Sequence, residues 1–175
     1  LNVRNPSYIA ASAIRNKLIE RFGDDAARAV SPEQVELKIP YKYKSQKQRY
    51  LSIVKAIELE GGTETDEAKV NDLVRRHAVS DEKDSIEIAL ESMGKAGLNK
   101  TGILLNSSEE EVRLRAARCM LNLGSDKGLD ALRDIAFDKN SAFRIEALKA
   151  ISAGARRNDI ASISQRLLRD DDFNV

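Results

Sequence analysis

The sequence has few of the residues that form cross-links and reactive sites. It contains no tryptophan, one cysteine, one histidine and 5% aromatic residues in 175 positions. One cysteine excludes an internal disulfide. No run of 18 apolar residues is present, so the sequence predicts no membrane-spanning helix. Regularly spaced Leu, Ile, Val and Ala, with 33% charged residues, instead predict packed helices with solvated outer faces.

The charges balance over the whole chain, which has a formal net charge of +1. Residues 1–60 carry 11 Lys and Arg against 7 Asp and Glu, whereas residues 61–175 carry 18 against 21. Neither imbalance indicates a polyanionic partner by itself. Gly61-Gly62 is followed by no phosphate-binding frame, and it is interpreted as the boundary between a domain at 1–60 and a domain at 61–175.

From about Asp84 onward the sequence repeats itself with a period near 31 residues. Arg113 falls on Arg144 at this offset, and Gly124 separates two apolar runs at helical spacing. Glycine is a natural left-handed helix end. A single helical hairpin cannot bury its apolar face, so a stack is expected. The inward positions of the central unit are Val112, Ala116, Met120, Leu123, Leu129, Leu132, Ile135 and Ala136.

The pairs Val112-Arg113 and Phe143-Arg144, followed by Gly124 in the first unit, resemble HEAT and HEAT-like repeats. The resemblance implies an all-α solenoid that binds partner proteins through its surface. Ser141 is expected to cap the first helix of its hairpin. The expected elements are a leading helix at 66–78, hairpins at about 84–106, 110–138 and 141–169, and a truncated fourth hairpin from 171 onward.

Residues 1–60 predict a small β-α-β-β-α module, so the expected fold class is α+β, mostly helical overall. Leu1–Arg4 alternates like a strand, Asn5 and Pro6 predict a helix start, and Gly23 predicts its end. The expected inward residues of this helix are Ile9, Ala13, Ile14, Leu18 and Phe22.

The alternation of apolar and polar residues in Ala26–Ile39 predicts a hairpin that ends at Pro40. Ser45 and Gln48 then predict a capping box for a second helix. Its expected inward residues are Leu51, Val54 and Ile57.

Taken in order, these elements look like part of the bacterial flagellar P-ring protein family. The resemblance covers about residues 1–58 and rests on the Asn5-Pro6 start, the Phe22-Gly23 helix end, the closing Pro40 and the helix around Arg49. It implies a non-enzymatic subunit of a homo-oligomeric ring in the periplasm, with peptidoglycan as a further partner. The HEAT-like half does not belong to that family's usual architecture.

A tyrosine- and lysine-rich segment follows the hairpin and is the sharpest local feature of the sequence. Rings interleaved with cations suit an anionic glycan, a subunit contact or single-stranded nucleic acid. Given the P-ring resemblance, nucleic acid is the least favoured of these. The alternative is a solvated loop whose tyrosines are partly packed. The residues are Tyr41, Lys42, Tyr43, Lys44, Lys47, Arg49 and Tyr50.

No catalytic, metal-binding or cofactor-binding set is predicted. His77 has no companion ligands and is interpreted as a surface or inter-helix histidine, and Cys119 as a small core residue. Arg113 and Arg144 are expected to pair with nearby acidic residues, of which Glu110, Glu111 and Asp138 are the candidates. The runs Glu109–Glu111 and Asp170–Asp172 are expected at helix starts, where acids complement the helix dipole.

The leading hypothesis is therefore a non-enzymatic scaffold of the bacterial cell envelope, with a P-ring-like module joined to a protein-binding repeat. The alternative is a general interaction adaptor with no flagellar role, which could be cytoplasmic. A HEAT-like lyase and a nucleic-acid binder are less favoured, since the sequence supplies neither a nucleophile nor a strong basic patch.

Overall fold

The computed structural model describes residues 1–57, 66–77, 80 and 82–170. The chain divides into two compact units, Leu1–Thr65 and Asp66–Val175, here called unit 1 and unit 2. The described part of unit 1 consists of α1 Tyr8–Phe22, β1 Ala27–Ser31, β2 Gln34–Leu37, a 3₁₀ turn Tyr41–Tyr43 and α2 Lys47–Ala56.

β1 and β2 form an antiparallel hairpin with the alternation that the sequence predicts. Val35 is buried, whereas its neighbours Gln34 and Glu36 are exposed. The predicted strand at Leu1–Arg4 is wrong in extent, because only Asn2 forms a bridge, to Gln34. The chain turns into α1 directly afterwards.

α1 begins later than predicted, because Ser7 and not Asn5 is its N-cap. The Ser7 hydroxyl accepts hydrogen bonds from the N–H groups of Ile9 and Ala10 at 3.2 and 3.4 Å. The buried face consists of Ala11, Ile14 and Leu18. The predicted inward positions Ile9 and Ala13 are wrong, since both are exposed. Gly23 ends the helix as expected, with φ 101°.

α2 also differs from its prediction. Its N-cap is Gln46 and not the predicted Ser45, and the Gln46 side chain makes no capping hydrogen bond. Tyr50 occupies the inward face together with Ile53 and Val54, and Leu51 is rotated outward. The large tyrosine ring sets this orientation by joining the aromatic core described below.

Unit 2 is helical throughout its described residues, and its helices pair as hairpins. A 3₁₀ turn, Gly102–Asn106, extends the second helix of the first hairpin. The predicted fourth hairpin, from 171, lies outside the described residues, as does Ala78 in the predicted leading helix. The helices are α3 Asp66–His77, α4 Lys83–Ser92, α5 Lys95–Thr101, α6 Glu110–Asn122, α7 Asp126–Phe137, α8 Arg144–Gly154 and α9 Arg157–Leu167.

Backbone geometry explains where these hairpins turn. Gly124 has φ 90° and ends α6 as predicted: its N–H donates to Leu121 O, and the N–H of Ser125 donates to Met120 O, both at 2.9 Å. These two bonds form a Schellman motif. The cap predicted at Ser141 is wrong, since α8 begins at Arg144 and the Ser141 hydroxyl stabilises the preceding turn.

α6 lies at the centre of unit 2 and contributes to both of its apolar clusters. None of its residues from Glu111 to Asn122 is exposed. Cys119 is fully buried in the cluster shared with α3 and α4, which confirms its predicted core position. The other cluster joins α6 to α7, α8 and α9 through Leu114, Ala117, Leu132, Ala147, Ile151 and Ile163.

Candidate interaction surfaces

The tyrosine- and lysine-rich segment of unit 1 contributes to the core as well as to the surface. Tyr43 and Tyr50 are both fully buried and pack with Phe22, with ring centroids 5.0–5.8 Å apart. Two of the three tyrosines predicted to stack on a ligand are therefore core residues. The hydroxyl of Tyr50 has no hydrogen-bond partner, and burial raises its pKa.

The outer part of the segment keeps its cations exposed. Tyr41 is 69% exposed, and the Lys44 ammonium lies 5.3 Å from the centre of its ring. Lys42 and Lys47 are exposed and Arg49 is half-buried, whereas Asp and Glu are absent from residues 37–57. An anionic glycan or a subunit contact at this surface stays a prediction.

In unit 2, polar side chains connect α4 to α6 at the period of the repeat. Three acidic side chains on α4 each meet a residue 31 positions later on α6. Such a register places α4 and α6 at equivalent positions in successive hairpins. The three pairs are Asp84 with Arg115, Glu87 with Arg118, and Glu91 with Asn122.

Glu87 is the centre of this ladder. Its residue exposure is 1%, and Arg118 grips both carboxylate oxygens, with Nε 2.8 Å and Nη2 2.5 Å away. Arg115 lies 3.5 Å from the same carboxylate. A buried carboxylate is stable only when paired in this way. The sequence contains a signal for these pairs, because two acidic residues of α4 each stand 31 positions, one repeat, before an arginine of α6.

The recurring arginines bind backbone carbonyls at the end of the preceding hairpin. Arg113 donates to the carbonyl groups of Ser107 and Ser108 at 2.7 and 2.9 Å, and Arg144 donates to that of Ala136 at 3.2 Å. Their acidic partners are Glu110, 3.9 Å from Arg113, and Asp170, 2.5 Å from Arg144. The predicted Asp138 partner is wrong.

Of the two acidic runs, Glu109–Glu111 is described in full and Asp170–Asp172 only in part. Glu109–Glu111 lies at the start of α6 as predicted, and the Lys83 ammonium binds Glu109 at 3.3 Å and Glu111 at 3.0 Å. Of the run predicted at the next start, only Asp170 is described.

Residues 98–175 match the family model of HEAT repeats. This part of the chain is HEAT-like. No curated protein and no solved structure gives a match to the chain, so the P-ring resemblance of residues 1–58 has no support from these comparisons. HEAT repeats commonly mediate protein interactions, and the match therefore suggests an interaction scaffold. Among the described residues, no helix is long and apolar enough to cross a membrane.

α7, the second helix of the central HEAT-like hairpin, has three aspartates in solvent. Asp126, Asp130 and Asp134 are all exposed on α7 and are spaced four residues apart, which puts them on one face of the helix. Asp126 pairs with Arg156, and Asp130 with Arg133, in exposed contacts of 2.9 and 2.8 Å. Exposed pairs of this kind are weak and exchange readily with a partner's charges.

The two residues with the most reactive side chains lie inside unit 2. His77 is fully buried between helices and not on the surface, and its ring nitrogens accept or donate no hydrogen bond. Cys119 is a buried thiol that forms no disulfide. Within the described ranges no group of three His, Cys, Asp or Glu side chains is placed to hold a metal ion.

Proposed function

We propose that the chain is a non-enzymatic scaffold that binds another protein through the second-helix face of its HEAT-like unit. One contrast supports this. Glu87 and Glu91 of α4 are buried in their pairs with α6, whereas Asp126, Asp130 and Asp134 of α7 are exposed, and the pairs that Asp126 and Asp130 make are at the surface. The complementary partner carries a basic surface, since opposite charges speed and orient association.

Charge reversal on α7 tests this surface. Full-length chain is immobilised as wild type, as Asp130→Lys/Asp134→Lys, and as the control Asp24→Lys/Glu33→Lys, which makes the same charge change on exposed residues of unit 1. Retained proteins are quantified from a lysate at low and physiological salt. Loss of a protein from the α7 variant alone supports the proposal. Equal retention by all three chains removes α7 as the binding surface.

A finer role in the cell envelope rests on the resemblance of residues 1–58. Unit 1 contains the helix end at Phe22-Gly23 and the hairpin before Pro40, but neither the strand at Leu1–Arg4 nor the helix start at Asn5-Pro6 on which the resemblance also rests. In this proposal the protein is periplasmic, forms a homo-oligomeric ring and lies near peptidoglycan. Light scattering of the full-length protein and fractionation of its cells test these points separately. A monomer confined to the cytoplasm would leave the adaptor role and exclude the ring.

A further inference from the structure

The leading helix α3 ends in a buried histidine. His77 is 0% exposed, and neither ring nitrogen has a hydrogen-bond partner. Burying such groups without partners is unfavourable. α3 packs on α4 and α5, and its Val70 belongs to the same apolar cluster as Ile86 and Leu90 of α4. Apolar contacts therefore hold the end of α3 in place, and the burial of the unpartnered His77 ring opposes them.

The charges around His77 are already paired with one another. On α4 they are Glu87, which Arg115 and Arg118 neutralise, and Lys83, which binds Glu111 of α6. On α5, the charge of Lys100 is not directed at His77, since it pairs with Glu67 at the other end of α3. Arg76 of α3 itself lies 3.8 Å from Asp72.

Protonation of the imidazole would consequently add a buried positive charge, and the described residues nearby offer no unpaired acidic group to neutralise it. Burial lowers the pKa of His77 from 6.5, and this effect outweighs the opposing effect of Glu87.

We propose that α3 is an acid-releasable cover of the first HEAT-like hairpin. Protonation of His77 frees the end of α3 from α4 and α5, which exposes the apolar surface formed by Ile86 and Leu90. In the packed state the ring is neutral, and in the released state it binds a proton at its ordinary pKa. Acid therefore favours release.

The direction and size of the effect follow from proton linkage. Because the packed-state pKa is lowered, packing is fully favoured above pH 6.5 and weakens as pH falls below it. Each pH unit below that value favours release by up to about tenfold, until the packed-state pKa is reached.

The first test needs no variant, since His77 is the only histidine in the chain. Its ring proton resonances in the full-length protein are titrated by NMR and compared with those of the same chain in urea. The expected result is a folded-state pKa below that of the unfolded chain. An equal or higher value overturns the proposal.

The second test uses Cys119, the only thiol, as a probe of the cluster that α3 covers. Its reaction with 4,4′-dithiodipyridine is measured in folded and urea-unfolded chain at each pH, and the ratio of the rates gives its protection. From pH 6.5 to about 5.5 protection should fall by up to about tenfold in wild type and stay constant in His77→Phe. An equal fall in both chains overturns the proposal. If His77→Phe does not fold at neutral pH, His77→Gln replaces it.

Discussion

In unit 1 the buried polar side chains are tyrosines, and the cations nearby remain at the surface. In unit 2 the buried carboxylates Glu87 and Glu91 are paired across the repeat, with Arg118 and Asn122. Most of the surface of Tyr43 and Tyr50 needs only apolar neighbours, without a fixed partner atom. The two rings can therefore pack on Phe22 although the three residues come from separate segments of unit 1. Glu87 needs Arg118 at a fixed distance, which only a regular stack supplies.

The chain offers two probes that separate these units. All four tyrosines lie in residues 1–57 and tryptophan is absent, so tyrosine fluorescence follows unit 1 alone. Far-UV circular dichroism follows mainly unit 2, which contains most of the helices. Urea unfolding monitored by both signals therefore assigns each change in stability to its unit.

The largest expected effect comes from Gly128 at the crossing of α6 and α7. A Cβ atom there would lie 2.5 Å from the backbone nitrogen of Leu121 and 2.6 Å from the carbonyl oxygen of Ala117. Backbone atoms cannot yield as side chains do, so Gly128→Ala should destabilise unit 2 by about 3 kcal/mol.

The control for this change is Gly102→Ala, whose new methyl would meet only Met120 Cε, at 3.8 Å. It should leave the dichroism transition almost unchanged. An equal loss of stability in both variants would contradict the close crossing, and a matching shift of tyrosine fluorescence would mean that the two units unfold together.

The second effect breaks the buried ion pair. Arg118→Ala removes the two-point contact with Glu87 and keeps that of Arg115, so it should destabilise unit 2 by about 2 kcal/mol, less than the ~3–5 kcal/mol typical of a wholly unpaired buried charge. Arg156→Ala, which removes exposed pairs with Asp126 and Asp159, should leave the stability almost unchanged.

A double variant then isolates the charge. Glu87→Gln with Arg118→Ala should cost less than Arg118→Ala alone, because the uncompensated carboxylate is gone. If the double variant is the less stable one, packing of the Arg118 stem and not pairing holds this interface.

The sequence predicted unit 2 better than unit 1 for a physical reason. A period of 31 residues makes each helix of a stack visible by comparison with the next, and Gly124 marks where the chain turns. The ladder was missed because Asp84 faces Arg115: paired positions look unlike each other when repeats are aligned for similarity.

Unit 1 offers no second copy for comparison. In α1 the spacing of Ile9 and Ala13 fits a helix face as well as that of Ala11 and Ile14. Only contacts distant in sequence decide between them. For α2, the packing of Phe22 against Tyr50 turns Leu51 outward, and no local pattern contains that information.

The third prediction has the opposite sign and concerns Tyr50. Its buried hydroxyl has no hydrogen-bond partner, so Tyr50→Phe keeps the ring contacts and removes an unsatisfied group. Unit 1 should become more stable by about 1 kcal/mol, seen as a later transition in the fluorescence of the remaining tyrosines. Tyr41→Phe, at an exposed ring, should change nothing. A loss of stability in Tyr50→Phe would mean that the hydroxyl is satisfied after all.

The smallest effect on stability is expected at the exposed lysines, where the readout is binding. Lys42→Glu/Lys44→Glu/Lys47→Glu should shift the tyrosine transition by under about 0.5 kcal/mol, since all three side chains are at the surface. If this surface binds anions, retention on an immobilised anionic glycan at low salt should fall sharply. The control Lys127→Glu/Lys139→Glu/Arg169→Glu makes the same charge change on unit 2 and should retain binding.

A single-stranded oligonucleotide distinguishes the kinds of anion. Base stacking needs accessible rings, and of the three tyrosines in this segment only Tyr41 offers one. Binding of the oligonucleotide should therefore depend on charge alone. It should weaken strongly as salt is added, and it should show no preference for the oligonucleotide over the anionic glycan. If the triple variant and its control lose the same amount of anion binding, the binding depends on the net charge of the chain and not on this surface. Unit 1 would then differ from unit 2 in its core and not in its ligands.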